Sequence, residues 1–428
     1  MKRHISKDLL AVLLTAVLAL SLVGCGFMNQ KDGSSVPSSY TSSDGTPSAE
    51  VQENSETESS APVSSSGSDS SEQVILSLDS ELFTERDLTQ TADLSEAVKI
   101  TLTDGQTVSI TEAGVYVLTG TAKNAEVIVE AGDEDKVQLV LDSLNVTNDS
   151  TPVIYVKNAD KVFVTSAGSE SELSVTGTFS SDGSTSTDAV IFSKDDLVLN
   201  GTGTVSITSS DNGVSCKDDL KVTGGTWNIS CKSDALEANE SISVGGGTLN
   251  INSSKDGLHA EYDEDNTTGW ITVEGGILNI TAADDGIHAT TTVTVNAGEL
   301  NITAGEGIEA TQVLINDGDI SINGKDDGIN AGQKSKSMNV GITINGGYIS
   351  INMGQGDTDA VDSNGYLTIT GGTLDIYAQS PFDADGTVSY TGGDIYVNGS
   401  KTNSITNQMM GGGMMGGMQG GGMHGGHM

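Results

Sequence analysis

The sequence predicts an all-β fold, a parallel β-helix wound as a solenoid, and three observations lead there. Glycine is abundant, 54 of 428 residues, while proline (5) and tryptophan (2) are scarce. From about residue 210 one phrase recurs: a short β-rich run, a Gly-Gly turn, a second β-rich run, and a D-G-I-x-A block. Within each run apolar and polar residues alternate, as in Thr248-Leu249-Asn250-Ile251-Asn252, the period-two signature of a strand buried on one face.

The blocks begin at Asn212, Asp234, Asp256, Asp285, Glu306, Asp327, Asp359 and Ser380, at spacings of 22, 22, 29, 21, 21, 32 and 21 residues. The base coil is therefore 21–22 residues, with two insertions. Turns recur at Gly224-Gly225, Gly246-Gly247, Gly275-Gly276, Ala297-Gly298, Asp317-Gly318, Gly346-Gly347, Gly371-Gly372 and Gly392-Gly393. Three runs per period describe one solenoid turn, with Ile, Val and Leu stacked inward and glycine at the bends. A helical repeat needs i, i+3, i+4 spacing and less glycine, and a nonapeptide Ca²⁺-binding roll needs a nine-residue period; both are excluded. Val115–Gly120, Val137–Asp142 and Val162–Val164 alternate with a looser period and read as first coils, and the acidic stretch around Ser80–Glu96 is expected to cap their open edge.

The solenoid is assigned to residues 74–402, between two segments of different chemistry. Residues 1–24 carry Lys2, Arg3 and Lys7, then the apolar run Leu9–Leu20, then Leu22-Val23-Gly24 before Cys25. This resembles a bacterial lipoprotein signal peptide, which implies cleavage before Cys25, acylation of its thiol and a place on the extracellular face of the cell membrane. Residues 25–73 are rich in Ser, Thr, Glu and Gly, too polar to bury a core, and are expected to form a disordered tether. Residues 403–428 form a Met/Gly-rich low-complexity tail.

Nineteen Lys and Arg against 59 Asp and Glu leave a net charge of −40, which excludes a nucleic-acid partner held by phosphate neutralisation. Equivalent residues of successive coils lie about 4.8 Å apart, so a repeated residue type becomes a ladder. The first block position supplies Asp234, Asp256, Asp285, Glu306, Asp327 and Asp359, with Asp284, Asp326 and Asp357 close by. Bare carboxylates at that spacing repel, and Ca²⁺ between coils is one resolution. The other is a turn in which each Asp bonds its own backbone two residues on, followed by a glycine with positive φ. The fourth position, expected to face outward, reads Ser215, Glu237, His259, His288, Glu309, Asn330, Asp362 and Asp383. Two coils match the ~10 Å disaccharide repeat of a polysaccharide, which makes this column a candidate carbohydrate groove, set against an ordinary solvated face. Lys232, Lys255 and Lys325 beside the acidic ladder are candidate bases for a lyase; ion pairing is the simpler account. Trp227 reads as core. Cys216 and Cys231 face inward, as a disulfide or as free thiols.

Residues Ala113-Gly114-Val115-Tyr116, Val137–Asp142 with Asn145-Val146-Thr147, and Ile154–Phe163 resemble the bacterial carbohydrate-binding domain-containing proteins of the β-helix type. The resemblance runs over about residues 95–400. It implies a right-handed parallel β-helix of pectate-lyase-like architecture, bound Ca²⁺, and binding to plant cell-wall polysaccharide such as polygalacturonate or cellulose. The expectation is thus a monomeric, lipid-anchored, Ca²⁺-dependent polysaccharide binder without catalysis. A pectate lyase with a Lys base and an adhesin or wall-structural protein are the alternatives.

Overall fold

The computed structural model describes residues 82–262, 264–354 and 358–405. The proposed signal segment, Cys25, the tether, Asp357 and the tail beyond residue 405 lie outside them.

The described strands form one 34-stranded sheet in which each strand pairs with its counterpart one coil away, parallel almost throughout. Three columns result, here called faces A, B and C. Face A includes Asp219–Val222, Ser241–Val244 and Trp270–Val273; face C includes Thr226–Ser230, Thr248–Asn252 and Ile277–Thr281; face B includes Asn212–Cys216, Leu236–Ala238 and Leu258–Ala260. The order A, C, B in each coil is the three-run phrase of the sequence. At Asp285–Val295 and Glu306–Ile315 the corner from B to A is short enough for one strand to turn it unbroken.

Alternation puts identical residues into register. Leu249, Leu278, Leu300, Ile320, Ile349 and Leu374 stack as one inward column, each no more than 1% exposed. Burying each such side chain is worth about 1.5–3 kcal/mol, so every coil adds its own increment and no single coil is the core. Trp227 is fully buried and donates its indole N–H to the Gly224 carbonyl, as an inward residue must. Cys216 and Cys231 are buried free thiols.

The two recurrent glycines have different reasons. The second turn glycine has positive φ, 89° at Gly247, and a Cβ there would meet the Gly225 carbonyl oxygen of the coil below at 2.9 Å. The block glycine does not have positive φ, contrary to the turn reading. A Cβ on Gly257 would stand 2.5 Å from the Gly286 carbonyl oxygen and 2.6 Å from Ile280 Cγ2, so close approach alone demands glycine.

The acidic stretch also lies elsewhere than expected. Residues 82–90 run along the outside of face A at its middle coils instead of covering the first edge. A helical turn, Glu85–Leu88, is held by a Thr84/Asp87 capping box. Fully buried Asp87 faces Lys161 Nζ at 3.4 Å and Lys221 Nζ at 3.6 Å, and Arg86 lies 4.5 Å above the Phe163 ring. Gln90 bonds the Thr223 carbonyl and the Gly201 N–H. A basic, aromatic patch on face A thus recruits an acidic segment that carries its own cap. At the other end Ser400–Thr402 turns back antiparallel on Asp394–Val397, shielding that edge. Among the described residues no helix is long and apolar enough to cross a membrane.

Candidate functional site

The fourth-position residues form one column on face B, Ser215, Glu237, His259, His288, Glu309, Asn330, Asp362 and Asp383 in unbroken register. The column is half-covered. Both insertions fall at the B-to-A corner and wall it: Glu261 Oε2 lies 3.3 Å from His259 Nε2, and Lys334 Nζ lies 2.7 Å from Glu309 Oε1. Lys217 and the Asn212 amide hold Glu237 at 3.1 and 2.6 Å. Upstream the same column is apolar, with Tyr155 and Phe192 edge to face at 5.6 Å.

The acidic ladder runs beside this column, and its carboxylates act between coils. Asp234 Oδ1 accepts the Asp256 N–H, Asp256 Oδ1 the Asp285 N–H, and Asp327 Oδ1 the Asp359 N–H, at 2.9–3.0 Å. At these three steps an Asp satisfies its counterpart in the next coil, and the repulsion of neighbouring charges is offset there by backbone donors. The second oxygens differ along the axis. Asp256 Oδ2 bonds His259 Nδ1 at 2.5 Å, Asp285 Oδ2 bonds His288 Nδ1 at 2.8 Å, and Asp234 Oδ2 faces Lys255 Nζ at 3.4 Å. Asp284 and Asp326 sit one residue earlier, exposed.

The two histidines are cations in this setting. Burial pulls His259 down, but hydrogen bonds to Asp256 and Glu261 and the charges of Asp256 and Asp234 overcome it and carry its pKa up to about 10. His288 behaves alike: burial lowers it, bonds to Asp285 and Glu309 raise it, and the result is about 9. Towards the C-terminal end the column's own positions are Glu309, Asn330, Asp362 and Asp383 with no histidine among them, and the carboxylates bear the cost. Burial, then the neighbouring Glu309 charge, pushes Glu306 up to about 7. Burial and the charges of Asp327, Asp359, Asp383 and Asp385 push Asp362 up to about 7. Asn330 Oδ1 and Asp383 Oδ1, in the same column, are buried acceptors with no hydrogen-bond donor. An oxygen-only row with unsatisfied acceptors suits hard divalent cations, so Ca²⁺ ions shared between neighbouring coils fit Glu306, Asp327, Asn330, Asp362 and Asp383, which span four coils, better than the His-paired Asp234, Asp256 and Asp285.

Of the candidate bases, Lys232 and Lys325 are exposed, and Lys255 is ion-paired with a pKa raised chiefly by the Asp234 charge. Two further features went unread in the sequence. Asp196, Asp218 and Asp219 converge within 4.8 Å at the start of face A, and burial with the charges of Asp196 and Glu240 pushes Asp218 up to about 7; the repeated Lys194-Asp195-Asp196 and Lys217-Asp218-Asp219 was the signal. Face C is a flat polar strip. Its middle row reads Ser206, Asn228, Asn250, Asn279, Asn301, Ser321, Ser350, Asp375 and Tyr396. The amides chain together, Asn250 donating to Asn228, Asn279 to Asn250 and Asn301 to Asn279, at 2.8–3.0 Å. An amide has two donors and two lone pairs, so Asn228, Asn250 and Asn279 each keep one N–H and one lone pair for a ligand, while Asn301 also donates to Glu299.

The parallel β-solenoid presents its outer residues as straight rows along its axis, acidic on face B and hydroxyl- or amide-lined on face C. The profile of the family described as "Carbohydrate-binding domain-containing protein" matches residues 104–360, and the chain belongs to that family. A relative from Acetivibrio thermocellus of the same description is 33% identical over 130 residues, 29% of this chain and 45% of the relative, so the match spans less than half of that protein's length. The solved polysaccharide lyase-like protein from C. thermocellum, in a gadolinium derivative, aligns with 51% of this chain and 96% of that one at 27% identity, with a TM-score of 0.48.

Proposed function

We propose that this chain is a non-catalytic polysaccharide-binding module whose face B takes acidic glycan, such as polygalacturonate, through bound Ca²⁺. Family membership supports carbohydrate as the ligand. The observation that carries the rest is the cluster around Asp362, where carboxylates raised by burial and by their neighbours' charges lie in one column with two acceptors without donors. Ca²⁺ would neutralise that cluster and leave coordination positions for uronate oxygens, which a chain of net charge −40 must otherwise repel. Glu306, Asp327, Asn330, Asp362 and Asp383 lie on four successive coils and would hold Ca²⁺ ions shared between neighbouring coils; Glu237, His259, His288 and Glu309 orient the wall of the column. Lyase chemistry is disfavoured because a general base must be free of its proton, and Lys255 is held protonated by Asp234. The lipid anchor at Cys25, the extracellular membrane location, the right-handed winding and the monomeric state belong to the same reading. Isothermal titration of the full chain with polygalacturonate, with Ca²⁺ and then with excess chelator, tests it while absorbance follows unsaturated product. Binding lost on chelation with an intact polymer is expected; rising absorbance, or no heat in any condition, refutes it.

A further inference from the structure

At the C-terminal end of face C the polar strip gives way to aromatic side chains. Tyr348 and Tyr377 are 45% and 46% exposed, among the few large apolar side chains so exposed in the described residues. With Tyr396, Thr373 and Gly399 they line a cleft of 280 Å³ around the Asp375 carboxylate. The three phenols come from three successive coils and three different rows, because Tyr348 pairs with Thr373, Asn352 with Tyr377, and Asp375 with Tyr396. They therefore surround Asp375 without stacking into a ladder. Partial burial and the charges of Asp375 and Asp319 raise the Tyr348 phenol, which places that carboxylate next to the ring.

We propose that this cleft is a stacking subsite for an uncharged pyranose of a polysaccharide chain. The proposal rests on the carbohydrate-binding reading but not on Ca²⁺. The apolar ring faces offer surface to the C–H face of a sugar, and the phenol tips and Asp375 accept or donate to its hydroxyls. Asp319 and Asp375 set negative charge beside Tyr348, which weighs against a uronate there, while Asp394 is paired at 2.7 Å with Lys401, whose Nζ lies 5.9 Å from the Tyr396 ring centroid. The Ser and Asn row continues from the cleft with one polar group per ~4.8 Å, so a chain seated at the tyrosines would meet hydroxyl partners along the axis. Asp375, Tyr377 and Tyr396 lie beyond residue 360, where the family match ends, so the subsite is a property of this chain's own last coils.

Affinity electrophoresis of the full chain through hydroxyethylcellulose, with EDTA throughout, tests it. Wild type should be retarded, Tyr348→Ala/Tyr377→Ala should lose at least tenfold in affinity, and Asp375→Asn should lose several-fold. Thermal midpoints measured in parallel show that the exposed substitutions leave the solenoid folded. Unretarded wild type, or a double variant retarded equally, overturns the subsite. So does a wild-type dimer that the double variant converts to monomer in sedimentation, since the patch would then be a self-interface. The same proteins run against polygalacturonate with Ca²⁺ separate the two readings: neutral-glucan retention without polygalacturonate retention upholds the subsite and refutes the Ca²⁺ reading alone.

Discussion

His259 and His288 stack face to face one coil apart, ring centroids 4.8 Å apart and planes 3° from parallel. Two cationic rings at that distance repel, and the pair persists because Asp256, Asp285, Glu261 and Glu309 contact the four ring nitrogens' edges. The stack is an electrostatic joint between coils.

Stability should therefore fall on the alkaline side. Folded pKa values of about 10 and 9 lie above the ordinary 6.5, so the contribution is fully present below about pH 6.5 and lost as pH rises through 9 and 10. One pKa unit corresponds to about 1.4 kcal/mol, and a loss of a few kcal/mol is expected. Calorimetric midpoints between pH 7 and 10.5 should show the drop in wild type and a shallower one in His259→Gln/His288→Gln.

The Asp362 cluster moves stability in the same direction, over a lower pH window. Carboxylates raised to about 7 are most favourable while protonated, so without metal their contribution is lost as pH climbs from about 4 through 7. Millimolar Ca²⁺ should raise the melting temperature strongly at pH 8 and weakly at pH 5, where protons compete for the same oxygens. Asp362→Asn should stabilise the metal-free protein at pH 8 and shrink the Ca²⁺ shift; equal shifts at both pH values would contradict this.

Glycine substitutions should separate strain from close approach. Gly247→Ala must place a Cβ at φ 89° and 2.9 Å from backbone, at a cost of more than about 2 kcal/mol. Gly183→Ala, at φ 60° with nothing within 4 Å of the added carbon, should cost about 1 kcal/mol. Urea midpoints measure both.

Asp87→Ala leaves Lys161 with Asp196 and Lys221 with the Leu82 carbonyl, so the strap should lose less docking free energy than the about 3–5 kcal/mol of a fully uncompensated buried charge. Because residues 82–90 pack on the outside, the strap can detach without unwinding the solenoid. Limited proteolysis should open sites before residue 91, while the urea midpoint of the coils moves little.

Much of the fold was legible because a solenoid repeats: residues such as Leu249 and Leu278, or Asn250 and Asn279, meet their counterparts at one period, so register follows from counting. The same counting aligned His259 with His288 across the insertion. What counting could not supply is what covers a face. Glu261 and Lys334 sit in insertions that share no pattern with the coils, yet they decide that the His column is walled. The acidic stretch was legible as acidic, but its seat depended on Lys161 and Phe163 of one coil forming a patch with Lys221 two coils on.

The sequence by itself determined the solenoid, its coil length, the inward columns and the acidic ladder, because these depend on period and alternation, which are local. Only the tertiary structure decided which carboxylate oxygens were spent on backbone donors, which were balanced by His259 and His288, and which at Asp383 was left without a partner. It also gathered Tyr348, Tyr377 and Tyr396 around Asp375. Those outcomes depend on distances between different coils and on burial, and charge balance at a few ångströms is a property of neighbours in space.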